Sequence, residues 1–193
     1  MKLQRIALFA SGNGSNAIKI LDYFKGNASI EVPVLVTNNS NAGVLKRTAK
    51  YPLQRIILDK EEVKSGVVLT NLMKEHQIDF IVLCGYLKLI PVGLVQAFKD
   101  RIINIHPALL PKFGGAGMYG MNVHKAVKGA QESESGITIH LVNEVYDKGE
   151  IIAQHTVAIA QEDTPEDIQQ KVQALEHEWF AQEIENYIHQ QNA

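Results

Sequence analysis

Ile6-Ala-Leu-Phe-Ala-Ser-Gly-Asn-Gly-Ser-Asn-Ala-Ile-Lys-Ile-Leu21 is the stretch on which the fold turns. Residues 6–10 are uniformly apolar and read as a strand buried on both faces. Ser11 to Ser15 interrupts the run, and Ile18, Leu21 and Phe24 then recur at helical spacing. A strand that passes through glycines directly into a helix opens an α/β unit.

The alternation continues outward from there. Residues 30–37, 55–58, 80–84 and 101–105 read as strands. Residues 42–50, 61–76 and 91–98 read as helices between them, and 123–129 as a later one. The segments 136–142 and 150–157 are strand-like and joined by a short loop, which predicts antiparallel neighbours. The tail, 164–190, is a helix: Thr164 suits the N-cap, Pro165 the first helical position, and Glu166 and Asp167 the first turn. The expected fold is α/β, a Rossmann-like, mostly parallel sheet with helices on both faces and an antiparallel strand pair near the C-terminal end. We expect one domain over residues 1–193, a length that fits a single sizeable core.

Composition narrows the function. Hydrophobic residues make up 46% and charged residues 21%, so the chain can bury a core. The net charge of -2 gives no general attraction for a polyanion, and nucleic acid is not expected as a partner. No apolar run reaches the ~18 residues of a spanning helix, and the N-terminus does not read as a signal peptide. The single cysteine, Cys84, rules out an intrachain disulfide and reads as a small buried hydrophobe. These features point to a soluble, cytoplasmic protein that does not engage membranes.

Ligands of open α/β sheets bind beyond the carboxyl ends of strands. Two such ends carry polar residues. Ser11-Gly12-Asn13-Gly14-Ser15-Asn16 can cradle a phosphate on helix N–H groups, or it can be a capped tight turn. It is not a dinucleotide fingerprint, because Ala17 stands where a third glycine belongs. The second end is Ile103-Asn104-Ile105-His106-Pro107. Alternation puts Asn104 and His106 on one face, and Pro107 stops the ladder. An amide N–H there can stabilise an oxyanion, and an imidazole can carry a proton near neutral pH. A structural polar pair at a strand end remains the alternative. Asp147, before Gly149, reads by itself as a turn residue. Near His106, its charge would favour the imidazolium.

With these residues in view, the chain resembles the phosphoribosylglycinamide formyltransferases of purine biosynthesis. The resemblance runs from Ser11 to His177, and its most specific stretch is Ile-Asn-Ile-His-Pro-Ala-Leu-Leu-Pro-Lys at 103–112. It implies transfer of a formyl group from 10-formyltetrahydrofolate, a consumed co-substrate, to the amine of 5-phosphoribosylglycinamide, with no metal. It implies catalytic roles for Asn104, His106 and Asp147. Gly14, Ser15 and Asn16 would hold the substrate phosphate, and Gln173 and Glu176 its glycinamide end. Leu87, Lys88, Leu89 and Ile90, with Asn104 and Asn143, Glu144, Val145, Tyr146 and Asp147, would line the folate pocket. Both partners are small molecules, and the resemblance leaves room for a homodimer.

Lys88 departs from an arginine common at its place, and a point charge does not replace a planar fork. Lys60 and Lys64 stand where another folate-contacting arginine is expected. Residues 113–121 form a glycine-rich segment that reads as a mobile loop over the site or equally as a plain connector. A formyltetrahydrofolate hydrolase shares the Asn-x-His apparatus but usually carries a preceding regulatory domain. A transfer-RNA formyltransferase would need a further C-terminal domain. A non-catalytic nucleotide-binding module would use only the glycine loop. Among the other histidines, His124 falls near the loop, His140 either joins the core or supports the site, and His155 has no evident partner. No His or Cys spacing suits a metal.

Overall fold

The computed structural model describes residues 2–192. Seven strands form one sheet in the order β3-β2-β1-β4-β5-β6-β7. They are β1 (Gln4–Phe9), β2 (Ile30–Thr37), β3 (Gln54–Ile57), β4 (Phe80–Leu83), β5 (Ile102–His106), β6 (Glu134–Leu141) and β7 (Ile151–Ala158). Six α-helices surround them: α1 (Ser15–Tyr23), α2 (Gly43–Arg47), α3 (Gly66–Glu75), α4 (Val92–Ala97), α5 (Met121–Gly129) and α6 (Pro165–Gln191). The Rossmann-like expectation holds, including the antiparallel pair β6–β7.

Packing divides the chain into two compact units, one running to Ile103 and one spanning Asn104–Gln191. In the first, β1 pairs in parallel with β2 and β4, and β2 with β3. Leu8 lies opposite both Leu35 and Val82, and all three are fully buried. Each such side chain contributes about 1.5–3 kcal/mol of burial, which makes the continuously apolar strands the natural centre. Helices α3 and α4 approach through glycines: a Cβ on Gly66 would lie 3.0 Å from the Gly93 Cα.

In the second unit, α6 packs on α5, β6 and β7 through Ile168, Phe180 and Ile184, each at most 1% exposed. Its start behaves as the sequence predicts. The Asp167 N–H donates to Thr164 Oγ1 at 3.2 Å, and the Thr164 N–H donates back to Asp167 Oδ2 at 2.9 Å. The β6–β7 register shifts between Ile139, opposite Ala153, and His140, opposite Ile151.

One expected helix, 61–76, is two elements. Asp59 Oδ1 accepts the N–H groups of Glu61 and Glu62 and starts a 3-10 turn over Glu62–Lys64. Ser65 then breaks from helical geometry and accepts the Val68 N–H at 3.2 Å, starting α3 anew. Similarly, the helix expected over 42–50 is only the five residues of α2.

Candidate active site

The clearest cluster lies in the second unit. Pro107 has no N–H to extend the ladder, and β5 ends at His106. The segment that follows is pinned by Thr138 on β6, whose hydroxyl donates to the Ala108 carbonyl at 2.7 Å and accepts the Leu110 N–H at 3.0 Å. Gln154 donates to the Leu110 carbonyl and to Thr138 Oγ1. These bonds hold the backbone that follows Pro107, from Ala108 to Leu110.

His106 is 3% exposed. Its Nε2 lies 2.8 Å from the carbonyl oxygen of Phe113. A carbonyl only accepts, so Nε2 carries a proton and Nδ1 of the neutral ring is bare. Nδ1 faces Asp147 Oδ2 at 3.6 Å, too far for a hydrogen bond and close enough for strong charge interaction. Burial lowers the His106 pKa, and this outweighs the upward pull of Asp147 and of the Phe113 carbonyl. The sequence reading anticipated only Asp147's upward influence. Asp147 offsets the cost of burial without reversing it.

Asp147 is both the turn residue and the partner that the two sequence readings described. Its backbone is left-handed, with φ 54°. Its Oδ2 accepts the Gly115 N–H at 2.8 Å, and its Oδ1 lies 3.6 Å from His140 Nε2. Burial pushes its carboxyl upward. His140 and His106, when protonated, together with the Gly115 N–H outweigh burial and hold the carboxyl below the usual range. The chain passes tightly here, because a Cβ on Gly114 would lie 2.5 Å from Leu110 Cδ2 and 3.1 Å from Asp147 Cβ. The start of the glycine-rich segment is therefore tied to the site: Phe113 supplies a carbonyl to His106, and Gly115 an N–H to Asp147.

Asn104 sits two residues before His106, with its Nδ2 3.1 Å from His140 Nε2. His140 is 2% exposed, and its Nδ1 lies 2.8 Å from the Leu141 carbonyl. His140 thus belongs with the site, one of the two readings its sequence left open. His124, on α5, is buried at 3%. Burial first and the charge of His106 second lower its pKa, so it remains neutral beside the site.

The remaining residues of the folate set are placed unevenly. Asn143, Glu144, Val145 and Tyr146 are exposed. Asn143 shapes their loop by accepting the Val145 N–H and donating to the Lys148 carbonyl. In the first unit Leu87, Lys88 and Leu89 are exposed, whereas Ile90 is 3% exposed and anchors the segment. On α6 Gln173 is exposed and Glu176 half-buried.

The glycine loop belongs to the first unit. Gly14 is the N-cap of α1 in left-handed geometry, with no side-chain cap and no acidic residue in the first turn. The first-turn N–H groups have no partner within a helix, and this end keeps its positive character. Ser15 is half-buried and Asn16 buried. Ser11 Oγ accepts the Leu87 N–H and donates to Asn38 Oδ1. Arg47 Nη1 donates to the Asn13 carbonyl at 3.1 Å, a cation at the loop that no linear motif signals. Gly14 has φ 71°, and a Cβ there would lie 2.2 Å from Val44 Cγ2. Gly14→Ala should lower unfolding stability by about 1–3 kcal/mol in urea titrations, through overpacking and a left-handed backbone.

His155 does have partners. It stacks on Trp179 at 4.2 Å and 11°, and its Nε2 lies 3.0 Å from Glu183 Oε1. Both partners come from α6, some twenty to thirty residues along the chain, which is why the strand sequence around His155 gave no sign of them.

Comparison with known proteins agrees with this architecture. Residues 4–184 match the formyl transferase family. A chloroplastic phosphoribosylglycinamide formyltransferase of Arabidopsis thaliana is 43% identical over 187 residues, 94% of this chain and 64% of the relative. The chain thus spans just under two thirds of that plant protein's length. A phosphoribosylglycinamide formyltransferase of Bacillus subtilis is 35% identical over 191 residues, 96% of this chain and 95% of the relative. The crystal structure of phosphoribosylglycinamide formyltransferase from Bacillus halodurans is 38% identical and superposes with a TM-score of 0.84, covering 93% of each chain. No helix among the described residues is long and apolar enough to cross a membrane. The match across residues 4–184 and the near-complete overlap with the two Bacillus proteins place the chain in the formyl transferase family, and within it among the phosphoribosylglycinamide formyltransferases.

Proposed function

We propose that the protein transfers the formyl group of 10-formyltetrahydrofolate to the amine of 5-phosphoribosylglycinamide, giving formylglycinamide ribonucleotide and tetrahydrofolate in purine biosynthesis. The observation that carries this reading is the buried cluster at the end of β5, with Asn104 against His140 and His106 facing Asp147. The substrate amine attacks the formyl carbon and forms a tetrahedral species. An Asn104 N–H stabilises its oxyanion. His106 takes a proton at Nδ1, Asp147 stabilises the resulting imidazolium, and the proton passes to the folate nitrogen as the carbon–nitrogen bond breaks. The neutral resting state of His106 suits this order, because a ring already protonated could not accept.

In this reading Gly14, Ser15 and Asn16 hold the substrate phosphate, supported by the uncapped start of α1 and by Arg47. Gln173 and Glu176 hold the glycinamide end. Leu87 to Ile90 and Asn143 to Asp147 receive the folate. Exposed Leu87 and Leu89 suit an aromatic ligand better than water. One domain, a cytoplasmic location and a homodimer remain part of the proposal. Light scattering and cell fractionation check the last two.

The test is to mix purified protein with 10-formyltetrahydrofolate, with and without 5-phosphoribosylglycinamide, and to follow the formyl group. Transfer only when the acceptor is present is expected. Release to water without acceptor would identify a hydrolase, and no loss in either mixture would reject both enzymes and leave a binding module.

A further inference from the structure

We propose that His140 is a positioning residue: held as its Nδ1–H tautomer, it turns the Asn104 carboxamide so that the NH₂ group, and not the oxygen, is presented to the reacting carbonyl. This rests on the formyl-transfer reading of the site.

The tautomer follows from the partners. His140 Nδ1 lies 2.8 Å from the Leu141 carbonyl oxygen, which only accepts, so Nδ1 carries the proton. Nε2 of the neutral ring then has a lone pair and can only accept. Its nearest polar neighbour is Asn104 Nδ2 at 3.1 Å, which therefore donates. The other group facing Nε2 is Asp147 Oδ1 at 3.6 Å, beyond hydrogen-bond length. A proton on Nε2 would point at that carboxylate and would force the Asn104 oxygen inward.

A carboxamide has nearly the same shape when flipped, so sterics alone do not decide which end faces a substrate. The acceptor on His140 decides it. One amide hydrogen goes to Nε2, and the second stays available for a developing oxyanion. The flipped amide would set a carbonyl dipole against that oxyanion. His140 is itself fixed by burial and by the backbone. It is 2% exposed, and the β6–β7 register shift falls at its position, the kind of irregularity that re-aims a side chain near a site.

The tests separate this role from packing. Long-range proton–nitrogen NMR of the wild-type ring should show Nδ1 protonated and Nε2 bare, and the Asn104 side-chain amide resonances should move in His140→Ala. A proton on Nε2 overturns the proposal whether or not the protein formylates anything, so this result is independent of the proposed activity. In kinetics, His140→Ala should lower kcat about 10–100-fold, the range seen when a working side chain loses its orienting partner at metal centres. KM for both substrates should barely change. On an Asn104→Ala background the same substitution should cost less than about twofold, because its target is gone. Equal losses in both backgrounds overturn the proposal. His140→Gln, whose oxygen can accept in place of Nε2, should recover most of the rate, whereas His140→Asn, which reaches only the Nδ1 position, should not. Equal losses in Gln and Asn would point to packing instead.

Discussion

Asp147→Asn slows formyl transfer about 10²–10⁴-fold, the scale of a lost general acid–base device, while the protein stays folded. The carboxamide keeps the shape, and its oxygen can still accept the Gly115 N–H that Oδ2 accepts now. What changes is the partner of His106 Nδ1, 3.6 Å away. The carboxylate favours a proton there. The amide oxygen that takes the place of Oδ2, held by the Gly115 N–H, carries no charge and leaves the neutral ring favoured instead. The sign is therefore fixed. Burial already lowers the His106 pKa, Asp147 offsets part of that, and its loss lowers the pKa further. The limb of the pH–rate profile that reports His106 accepting a proton should move to lower pH as the plateau falls. Stopped-flow rates across pH, with the urea midpoint as the control for folding, check both parts. An unchanged plateau and an unchanged limb would remove Asp147 from the mechanism.

The sheet was legible because its strands are runs of apolar residues bounded by glycine, proline and asparagine, and central parallel strands must be apolar on both faces. Asn104 and His106 were legible as a same-face pair because alternation along a strand is rigid geometry. Their partners were not. Asp147 and His140 lie some 40 residues along the chain; the β6–β7 hairpin that carries them was legible, but no local periodicity encodes its place beside β5. Residue type hides the Phe113 carbonyl and the Gly115 N–H altogether, since every residue carries those groups. Sequence reasoning also overran helix ends. At 61–76 the stripe of Val67, Val68, Leu72 and Met73 starts only after Ser65, and the break there comes from a hydroxyl competing for the Val68 N–H. It was family resemblance that assigned roles to residues on two separate units; within the second unit Asn104, His106 and Asp147 lie around His140.

Asn104→Ala should cost about 10²–10³-fold in kcat, the usual effect of removing one oxyanion donor. The amide faces His140 Nε2 in the resting protein, so the bond that matters to rate forms only as charge develops on the formyl oxygen. An interaction made only in the transition state lowers kcat and kcat/KM together and leaves KM near its original value. Asn104→Asp sharpens the test. It is nearly isosteric, but it adds a negative charge beside Asp147 and opposite the developing oxyanion. It should be at least as slow as the alanine variant although it restores the lost volume. Recovery of rate in the aspartate variant would mean that residue 104 acts by filling space. Its contribution would then pass to other donors near the formyl oxygen, with the His106–Asp147 pair left to manage the proton alone.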